Sequence, residues 1–343
     1  TRAESGAKRR STRLRRRSSC RIISTSDGTA TDDFHKNKVD KDGPVRYTEE
    51  KSGSDTEERY GKDGNAMGYR IITDSTTDLT QEMIDELELT VISLRFTIDG
   101  KTYRDKADQS EMPTKTFYAK LRDGKMSTTT QINVEKFTSV FEPFLQNGED
   151  VLYIGFSSGL SGTLQSACIA RDDLQAKYPE RKIYVFDSLS ASMGEGLLVY
   201  HAAMLKRGGT DIDSLYKWLG ENVLKLCHWF TVSDLNHLKR GGRVSTTAAL
   251  VGTMLGIKPV LHVDDEGHLI PVSKVRGRRQ SLDALVQKMA ETAIHPEEQT
   301  VFISHGDCLE DAQYVAEQVR RKFGVQDIRI NYVGPVIGAH SGP

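Results

Sequence analysis

The chain has 343 residues, enough for two domains with separate cores, and its formal net charge at pH 7 is only -1. So small a net charge excludes a strong global field that would attract nucleic acid or a membrane surface. No apolar run is long enough to span a bilayer, and the four widely spaced cysteines contain no C-x-x-C pair. We therefore expect a cytoplasmic protein with reduced thiols, without a disulfide framework, a metal site or integral membrane association.

The first 66 residues differ from everything after them. They contain few large apolar residues, and a basic run over residues 8–17 is followed by Ser, Thr, Asp, Glu and Lys. Such a segment buries too little apolar area to offset its ordering entropy, which predicts a disordered extension. The alternative is a basic arm for nucleic acid or a membrane surface. Met67 directly precedes a strand-like segment, so we predict that the fold begins there.

Strand and helix patterns alternate from Met67 onward. Asp99-Gly100 is a tight-turn signal that predicts a hairpin. The alternation predicts a mostly parallel sheet with helices on both faces, in an N-terminal α/β domain over residues 67–209. The predicted strands cover residues 69–73, 90–98, 151–154 and 182–186, and the predicted helices lie near residues 80–87, 115–121, 132–144 and 194–206.

A second α/β domain is predicted over residues 210–343. Its hairpin turns at Asp264-Asp265-Glu266-Gly267, and a glycine-rich turn over residues 338–343 is a poor place for a domain to end, so we expect truncation there. The predicted strands cover residues 229–232, 258–263, 268–275, 300–304 and 327–333, with helices near residues 213–226, 280–292 and 310–323.

Four polar turns follow the elements of the first domain, over residues 74–78, 127–131, 157–163 and 187–190. Ligands of open α/β sheets bind beyond the carboxyl ends of the strands, so we expect these turns to converge. The turn at residues 155–163 lies between a strand and a helix and carries several hydroxyl groups. Unpaired N–H groups at a helix N-terminus attract anions, which predicts an anionic ligand here.

A serine hydrolase is the alternative interpretation of this turn. Gly155-Phe156-Ser157-Ser158-Gly159 satisfies G-x-S-x-G, the nucleophile elbow of α/β-hydrolases. Asp187 and either His305 or His340 follow Ser157 in the order of a triad. Against this interpretation, no oxyanion segment precedes the turn, and two adjacent serines stand where one would serve.

Two basic neighbourhoods stand out in the second domain, Lys239-Arg240-Gly241-Gly242-Arg243 and residues 274–279. Neither has the spacing of a phosphate-binding loop. The cluster is either a solvated basic face or a docking patch for an anionic partner, in which Arg243 and Arg276 would make the contacts. The histidines show no metal-ligand spacing.

These segments, in this order and spacing, resemble the DegV family of bacterial fatty-acid-binding proteins over residues 67–343. The matching segments are Ile72-Thr73-Asp74-Ser75-Thr76, Thr128-Thr129-Thr130-Gln131, Ser157-Ser158-Gly159-Leu160-Ser161-Gly162-Thr163, Asp187-Ser188, Lys239-Arg240-Gly241-Gly242-Arg243, Lys274-Val275-Arg276, and Gly334-Pro335 through Gly342-Pro343.

The resemblance implies two α/β domains with a long-chain fatty acid buried between them, and no cofactor. It implies that Thr129 and either Ser157 or Ser158 hold the carboxylate, with Thr130 and His340 as further candidates. It also implies that the chain catalyses nothing itself and presents the acid to a separate fatty-acid kinase, which makes acyl phosphate.

Overall fold

The computed structural model of the chain describes residues 68–245 and 256–343. The predicted disordered extension, residues 1–66, lies outside the described residues, as does its basic run. Within the described ranges the α/β fold predicted from the sequence is confirmed, with ten α-helices and twelve strands. None of these ten helices is both long and apolar enough to cross a membrane.

The strands and helices are numbered here in chain order. The strands are β1 (Tyr69–Asp74), β2 (Thr90–Ile92), β3 (Arg95–Ile98), β4 (Lys101–Arg104), β5 (Ser127–Thr130), β6 (Asp150–Gly155), β7 (Ile183–Asp187), β8 (Trp229–Thr231), β9 (Ile257–Val263), β10 (Leu269–Arg276), β11 (Val301–His305) and β12 (Ile328–Tyr332). The helices are α1 (Gln81–Glu86), α2 (Thr114–Arg122), α3 (Val134–Gln146), α4 (Thr163–Lys177), α5 (Ser192–Arg207), α6 (Ile212–Asn222), α7 (Leu235–Arg240), α8 (Arg278–Thr292), α9 (Leu309–Phe323) and α10 (Pro335–Ser341).

The main sheet is parallel throughout, in the order β2-β1-β6-β7. Successive side chains of each strand point to opposite faces of the sheet, so the strands contribute residues to two separate hydrophobic cores. Ile72 and Tyr153 pack with α3 and α4 on one face. Ile71 and Leu152 pack with α1, α5 and α6 on the other. Helices therefore cover both faces, as predicted, and this explains why the strands are continuous apolar runs.

A small antiparallel sheet, in the order β4-β3-β5, lies in the same half of the chain. The hairpin at Asp99-Gly100 joins β3 to β4, as predicted. The stretch over residues 127–131, however, was predicted to be a turn and instead contains strand β5, which pairs with β3. Its three consecutive threonines are β-branched and suit a strand, but the strand forms only because β3 supplies the pairing backbone.

The second half of the chain contains an antiparallel sheet, β10-β9-β8, and a parallel pair, β11-β12. Helices α8 and α9 pack on the β11-β12 pair around Val286, Val315 and Val319. Helix α6 packs against the main sheet instead, through Ile212, Leu215 and others of the same face. The domain boundary near residue 210 stays a prediction, and the packing of α6 favours a boundary after that helix.

Helix α10 corrects the turn predicted over residues 338–343. Pro335 occupies the first helical position, where its fixed φ suits a helix and its missing N–H is not needed. The helix packs against α2, β3, β5 and α7. The last described helix thus returns to the small sheet of the first half, which places it beside the predicted threonine-rich segment.

Candidate functional site

The polar turns that follow β1, β6 and β7 meet at the carboxyl edge of the main sheet. Phe156 donates its backbone N–H to Oδ2 of Asp74 at 3.2 Å. The backbone N–H of Ser158 points to Oδ1 of Asp187 at 3.3 Å, and that of Ser157 donates to the carbonyl of Ser190 at 3.0 Å. Gln131 of the fourth turn lies against Gly162, where a Cβ would be 2.3 Å from its Oε1. The structure therefore brings all four predicted turns into contact.

The carboxyl group of Asp74 connects the turns at this edge of the sheet through hydrogen bonds. It is fully buried, and its oxygens accept from the Thr76 N–H and hydroxyl, from the Tyr153 hydroxyl at 2.6 Å and from the Phe156 N–H. Burial raises the pKa of Asp74, and the hydrogen bonds oppose that rise. So complete a set of donors holds the turn at Ser157 in one conformation.

Glu195 shares the hydroxyl of Thr76 with Asp74. The Thr76 Oγ1 atom lies 2.5 Å from Oδ1 of Asp74 and 2.8 Å from Oε2 of Glu195. A hydroxyl has one hydrogen, so one of the two carboxyls must donate. Among the described residues, Oε1 of Glu195 finds no partner, whereas Asp74 accepts from several groups. Burial first, and then the charge of Asp74, raise the pKa of Glu195 well above its usual range. Glu195 is therefore the protonated acid.

The adjacent serines Ser157 and Ser158 have different surroundings. Ser157 is fully buried; its Oγ donates to the carbonyl of Gly267 at 2.9 Å and accepts the N–H of Gly159 at 3.1 Å. Gly267 has a φ of +76°, and a Cβ there would lie 2.1 Å from Oγ of Ser157, so only glycine fits. Ser158 is exposed. The Ser157 side chain thus ties the turn to the β9-β10 hairpin.

Thr129 and His340 form a second polar pair. Oγ1 of Thr129 lies 2.8 Å from Nε2 of His340, across 211 residues of sequence. Thr129 is half-buried, whereas Thr130, next along strand β5, is exposed. Burial, and then the charge of Arg243, lower the pKa of His340 to about 4. The imidazole is consequently neutral at pH 7.

Arg243 lies against this pair, and Arg276 does not. The guanidinium of Arg243 is half-buried; its Nε donates to the carbonyl of Leu160 at 3.1 Å, and its Nη1 donates to that of Gly241. Arg276 is exposed at the end of strand β10. The two arginines predicted to form one docking patch therefore have different environments, and only Arg276 is fully on the surface.

A small apolar cluster adjoins these polar groups. Phe156, Leu160 and Ala191 are buried together, and Leu269 and Ile337 pack against them. Ile337 and His340 lie one helical turn apart in α10, so they share a face of that helix. The arrangement joins hydroxyl, imidazole and guanidinium groups to an apolar surface, which suits a ligand with an anionic head and an apolar tail.

Sequence reasoning missed two contributors to this arrangement. Gly241 passes so close to His340 that a Cβ there would lie 2.3 Å from Nδ1, and Ile337 belongs to the apolar cluster. The basic turn around Gly241 was weighed as a phosphate loop and a docking patch and matched to the family. Its two adjacent glycines, which signal close approach of another segment, were not connected with His340. Ile337 lay in the segment predicted to run into a turn, so no helical face was assigned to it.

The sequence was expected to contain no histidine with metal-ligand spacing, but in the described ranges Asp264, Glu266 and His268 each bring one potential ligand atom within 4.8 Å of the others. This cluster lies on the β9-β10 turn, where Asp264 is half-buried and the other two are exposed. Oδ1 of Asp264 already accepts the backbone N–H groups of Glu266 and His268. These contacts explain the cluster as the local structure of a hairpin turn.

Sequence comparison gives this fold and site a family. Residues 69–343 match the profile described as "Uncharacterised protein, DegV family". A DegV domain-containing protein of Clostridium perfringens is 48% identical over 274 residues, which are 80% of this chain and 94% of that protein. One from Lactococcus lactis is 38% identical over 278 residues, 80% of this chain and 95% of that protein.

Solved structures agree. DegV of Bacillus subtilis, a fatty acid binding protein, superposes with a TM-score of 0.69 at 28% identity, over 80% of this chain and 96% of that chain. A DegV lipid binding protein of Thermotoga maritima gives 0.69 at 29% identity, over 81% and 95%. With the family profile matched over residues 69–343 and a relative 48% identical, this chain belongs to the DegV family.

Proposed function

We propose that this protein binds a long-chain fatty acid and holds its carboxylate beside Thr129, His340 and Arg243. The observation that carries the proposal is the 2.8 Å contact between Thr129 and His340, next to the apolar cluster of Phe156, Leu160 and their neighbours. Solved relatives at 28% identity or more, from Bacillus subtilis and Thermotoga maritima, are fatty acid binding or lipid binding proteins, which supports the same ligand class here.

The chemistry of the polar groups suits a carboxylate. When the proton of the neutral imidazole is on Nε2, His340 donates to Thr129, and the Thr129 hydroxyl remains free to donate to an anion. Arg243 adds a positive charge that is half-buried and therefore poorly screened. A carboxylate here would gain charge-assisted hydrogen bonds.

The acyl chain would supply most of the affinity. Each methylene that leaves water contributes about 0.8 kcal/mol, and even after association costs a long chain is bound tightly. The apolar cluster that contains Phe156, Leu160 and Ile337 supports the proposal that the first methylenes pack there. Ser157 supports this apolar surface through its contact with Gly267. Ser158 is exposed in the same turn, whereas Thr130 points to the face of β5 opposite Thr129 and is left out of the proposed site.

The alternative, a serine hydrolase, needs a histidine beside Ser157. Oγ of Ser157 donates to Gly267 instead. The two candidate bases have other contacts: Nε2 of His340 with Thr129, and Nδ1 of His305 with the N–H of Cys308 at 3.2 Å. These contacts favour a binding protein without chemistry of its own. We propose, on the family resemblance, that it presents its ligand to a separate fatty-acid kinase.

Mass spectrometry tests the proposal most directly. Under native conditions we expect one fatty acid per chain, released on denaturation. Protein that is consistently free of lipid, and takes up none when fatty acid is supplied, would contradict it. Activated-ester probes distinguish a fatty-acid-binding protein from a serine hydrolase, because they would label a hydrolase at Ser157 and would not label a binding protein.

A further inference from the structure

Two buried carboxyl groups meet the N-terminal end of helix α10. Oδ1 of Asp78 accepts the N–H of Gly334 at 2.9 Å, and Oδ2 of Asp105 accepts the N–H of Val336 at 3.2 Å. Each aspartate is only 6% exposed. The first N–H groups of a helix have no partners within it, so these two side chains satisfy donors that the helix cannot satisfy alone.

The two aspartates belong to the first half of the chain, far from α10 in sequence. Asp78 follows β1, and Asp105 follows β4, where its N–H donates to the carbonyl of Leu94 at 2.9 Å. Asp78 also accepts from the hydroxyl of Ser192, and its backbone carbonyl accepts from the side chain of Asn331 at 2.7 Å. Its position is therefore fixed independently of α10.

Burying two carboxyl groups so close together is costly. Both approach Gly334, since a Cβ there would lie 2.5 Å from Oδ1 of Asp78 and 3.3 Å from Oδ2 of Asp105. Burial raises the pKa of both side chains, to about 7 for Asp105. Apolar residues of similar volume would fill the same space with less loss of stability. Packing alone therefore does not account for two carboxyl groups at this position.

The helix that these carboxyls hold also carries His340. Val336 and His340 are four residues apart, a distance of about 6 Å along a helix. Helix α10 is a single short segment of seven residues, so a shift at its N-terminal end moves the imidazole as well. The guanidinium of Arg243 lies near His340, and its hydrogen bonds go to the carbonyl groups of Leu160 and Gly241, which are outside α10.

We propose that Asp78 and Asp105 are positioning residues, which fix the N-terminal end of helix α10 and thereby hold His340 against Thr129. The effect on ligand affinity rests on the proposed fatty acid function. The placement of His340 does not, because it is a property of the protein without ligand.

The test compares three variants of the full chain. Asp105→Ala removes the acceptor of the Val336 N–H, Asp105→Asn keeps an acceptor in the same place, and Glu195→Gln changes another buried carboxyl that does not contact α10. Histidine-selective NMR on lipid-stripped protein, with His340→Gln to assign the signal, follows the titration of His340. Affinity for a long-chain fatty acid is then measured separately.

Burial, and then the charge of Arg243, lower the pKa of His340 in the wild type to about 4. We expect Asp105→Ala to move that pKa toward the ordinary value of about 6.5, since a displaced imidazole regains water. Asp105→Asn and Glu195→Gln should leave it in place. Affinity for the fatty acid should fall by roughly tenfold in Asp105→Ala alone, as expected for one lost hydrogen bond to the ligand.

Folded Asp105→Ala with an unchanged His340 titration would overturn the proposal, as would an equal change in Glu195→Gln. If Asp105→Ala does not fold, Asp78→Ala, which also removes an acceptor at the start of α10, is compared with Asp105→Asn, which keeps one. A shift of the His340 pKa in Asp105→Asn as large as that in Asp78→Ala would overturn the proposal, because keeping the acceptor would then make no difference. A shifted titration with unchanged fatty acid affinity would support the positioning role and contradict the proposed ligand site.

Discussion

Strand β5 and the turn after β6 each contain a pair of adjacent hydroxyl residues in which one side chain is more buried than the other. On the strand, Thr129 faces His340 and Thr130 is exposed. In the turn, Ser157 is buried against Gly267 and Ser158 is exposed. The outcomes are similar, but the causes differ.

On strand β5 the pleat decides, because neighbouring side chains point to opposite faces. In the turn no period applies, and the choice depends on a hydrogen bond to a residue 110 positions away. In a strand, therefore, the position of a residue in the pleat determines whether its side chain is buried. In a turn, the hydrogen bond to one particular partner determines it. Substitutions on the strand should therefore affect the ligand, and those in the turn should affect stability first.

The largest effect is expected from filling the space beside His340. A Cβ at Gly241 would lie 2.3 Å from Nδ1, so Gly241→Ala has to push the imidazole off Thr129. Overpacking of this kind costs about 1–3 kcal/mol, and we expect fatty acid affinity to fall at least roughly tenfold in a binding titration. Gly220→Ala is the control, since nothing lies within 4 Å of that site. Equal affinities in the two variants would remove His340 from the site.

Thr129→Val tests the strand side more gently. It keeps the shape and deletes the hydroxyl that pairs with His340 at 2.8 Å. We expect a loss of about 1–2 kcal/mol in fatty acid binding, measured by displacement of a fluorescent fatty acid. Thr130→Val on the opposite face should bind as the wild type does, and a similar loss there would show that the pleat does not select the binding residue.

Ser157→Ala tests the turn side. It leaves the carbonyl of Gly267 and the N–H of Gly159 without their buried partner. We expect the free energy of unfolding to fall by about 1–2 kcal/mol in urea titrations. Ser158→Ala should stay within about 0.5 kcal/mol of the wild type. If the two serine variants were equally stable, the contact with Gly267 would have no structural importance.

The protonated Glu195 beneath the turn predicts a pH dependence. Its pKa is raised in the folded protein, so its contribution to stability is complete below about pH 4.3, its unfolded value, and is lost as pH rises toward the folded pKa. Glu195→Gln stays neutral, so its unfolding free energy should fall less between pH 5 and pH 8. Asp105, whose folded pKa is about 7, still contributes a decline between about pH 4 and 7.

Glu82→Gln, an exposed change on α1, provides the control for this series of urea titrations. Its stability profile should run parallel to that of the wild type. If the free energy of unfolding of Glu195→Gln also varied with pH as that of the wild type does, Glu195 would not be the carboxyl group that is protonated in the folded protein.

The smallest effect on the ligand is expected at Arg276. This residue is exposed on β10, so Arg276→Ala should leave fatty acid affinity unchanged while slowing acyl phosphate formation by an added fatty-acid kinase, more at low salt. Arg243→Ala should weaken fatty acid binding itself, because its guanidinium lies beside His340. Full kinase turnover by Arg276→Ala at every salt concentration would place the docking surface elsewhere.

Local patterns predicted the parts of the fold that depend on local chemistry. The apolar run over residues 151–154 and the turn at Asp99-Gly100 are strand and hairpin as expected. Strand β5 and helix α10 were not predicted, because each is stabilised by distant segments: β3 pairs with one, and Asp78 and Asp105 hold the other. The choice between Ser157 and Ser158 depended on Gly267 for the same reason.

The contact between Thr129 and His340 also sets an order of events during synthesis. The two residues are 211 positions apart, so at typical translation rates roughly 10–40 seconds separate their appearance on the ribosome. Each strand of the main sheet lies before residue 188, so that sheet can fold while the imidazole is still to be made. A stalled nascent chain that ends before Pro335 should therefore have a protease-resistant main sheet and lack the proposed contact between His340 and the fatty acid.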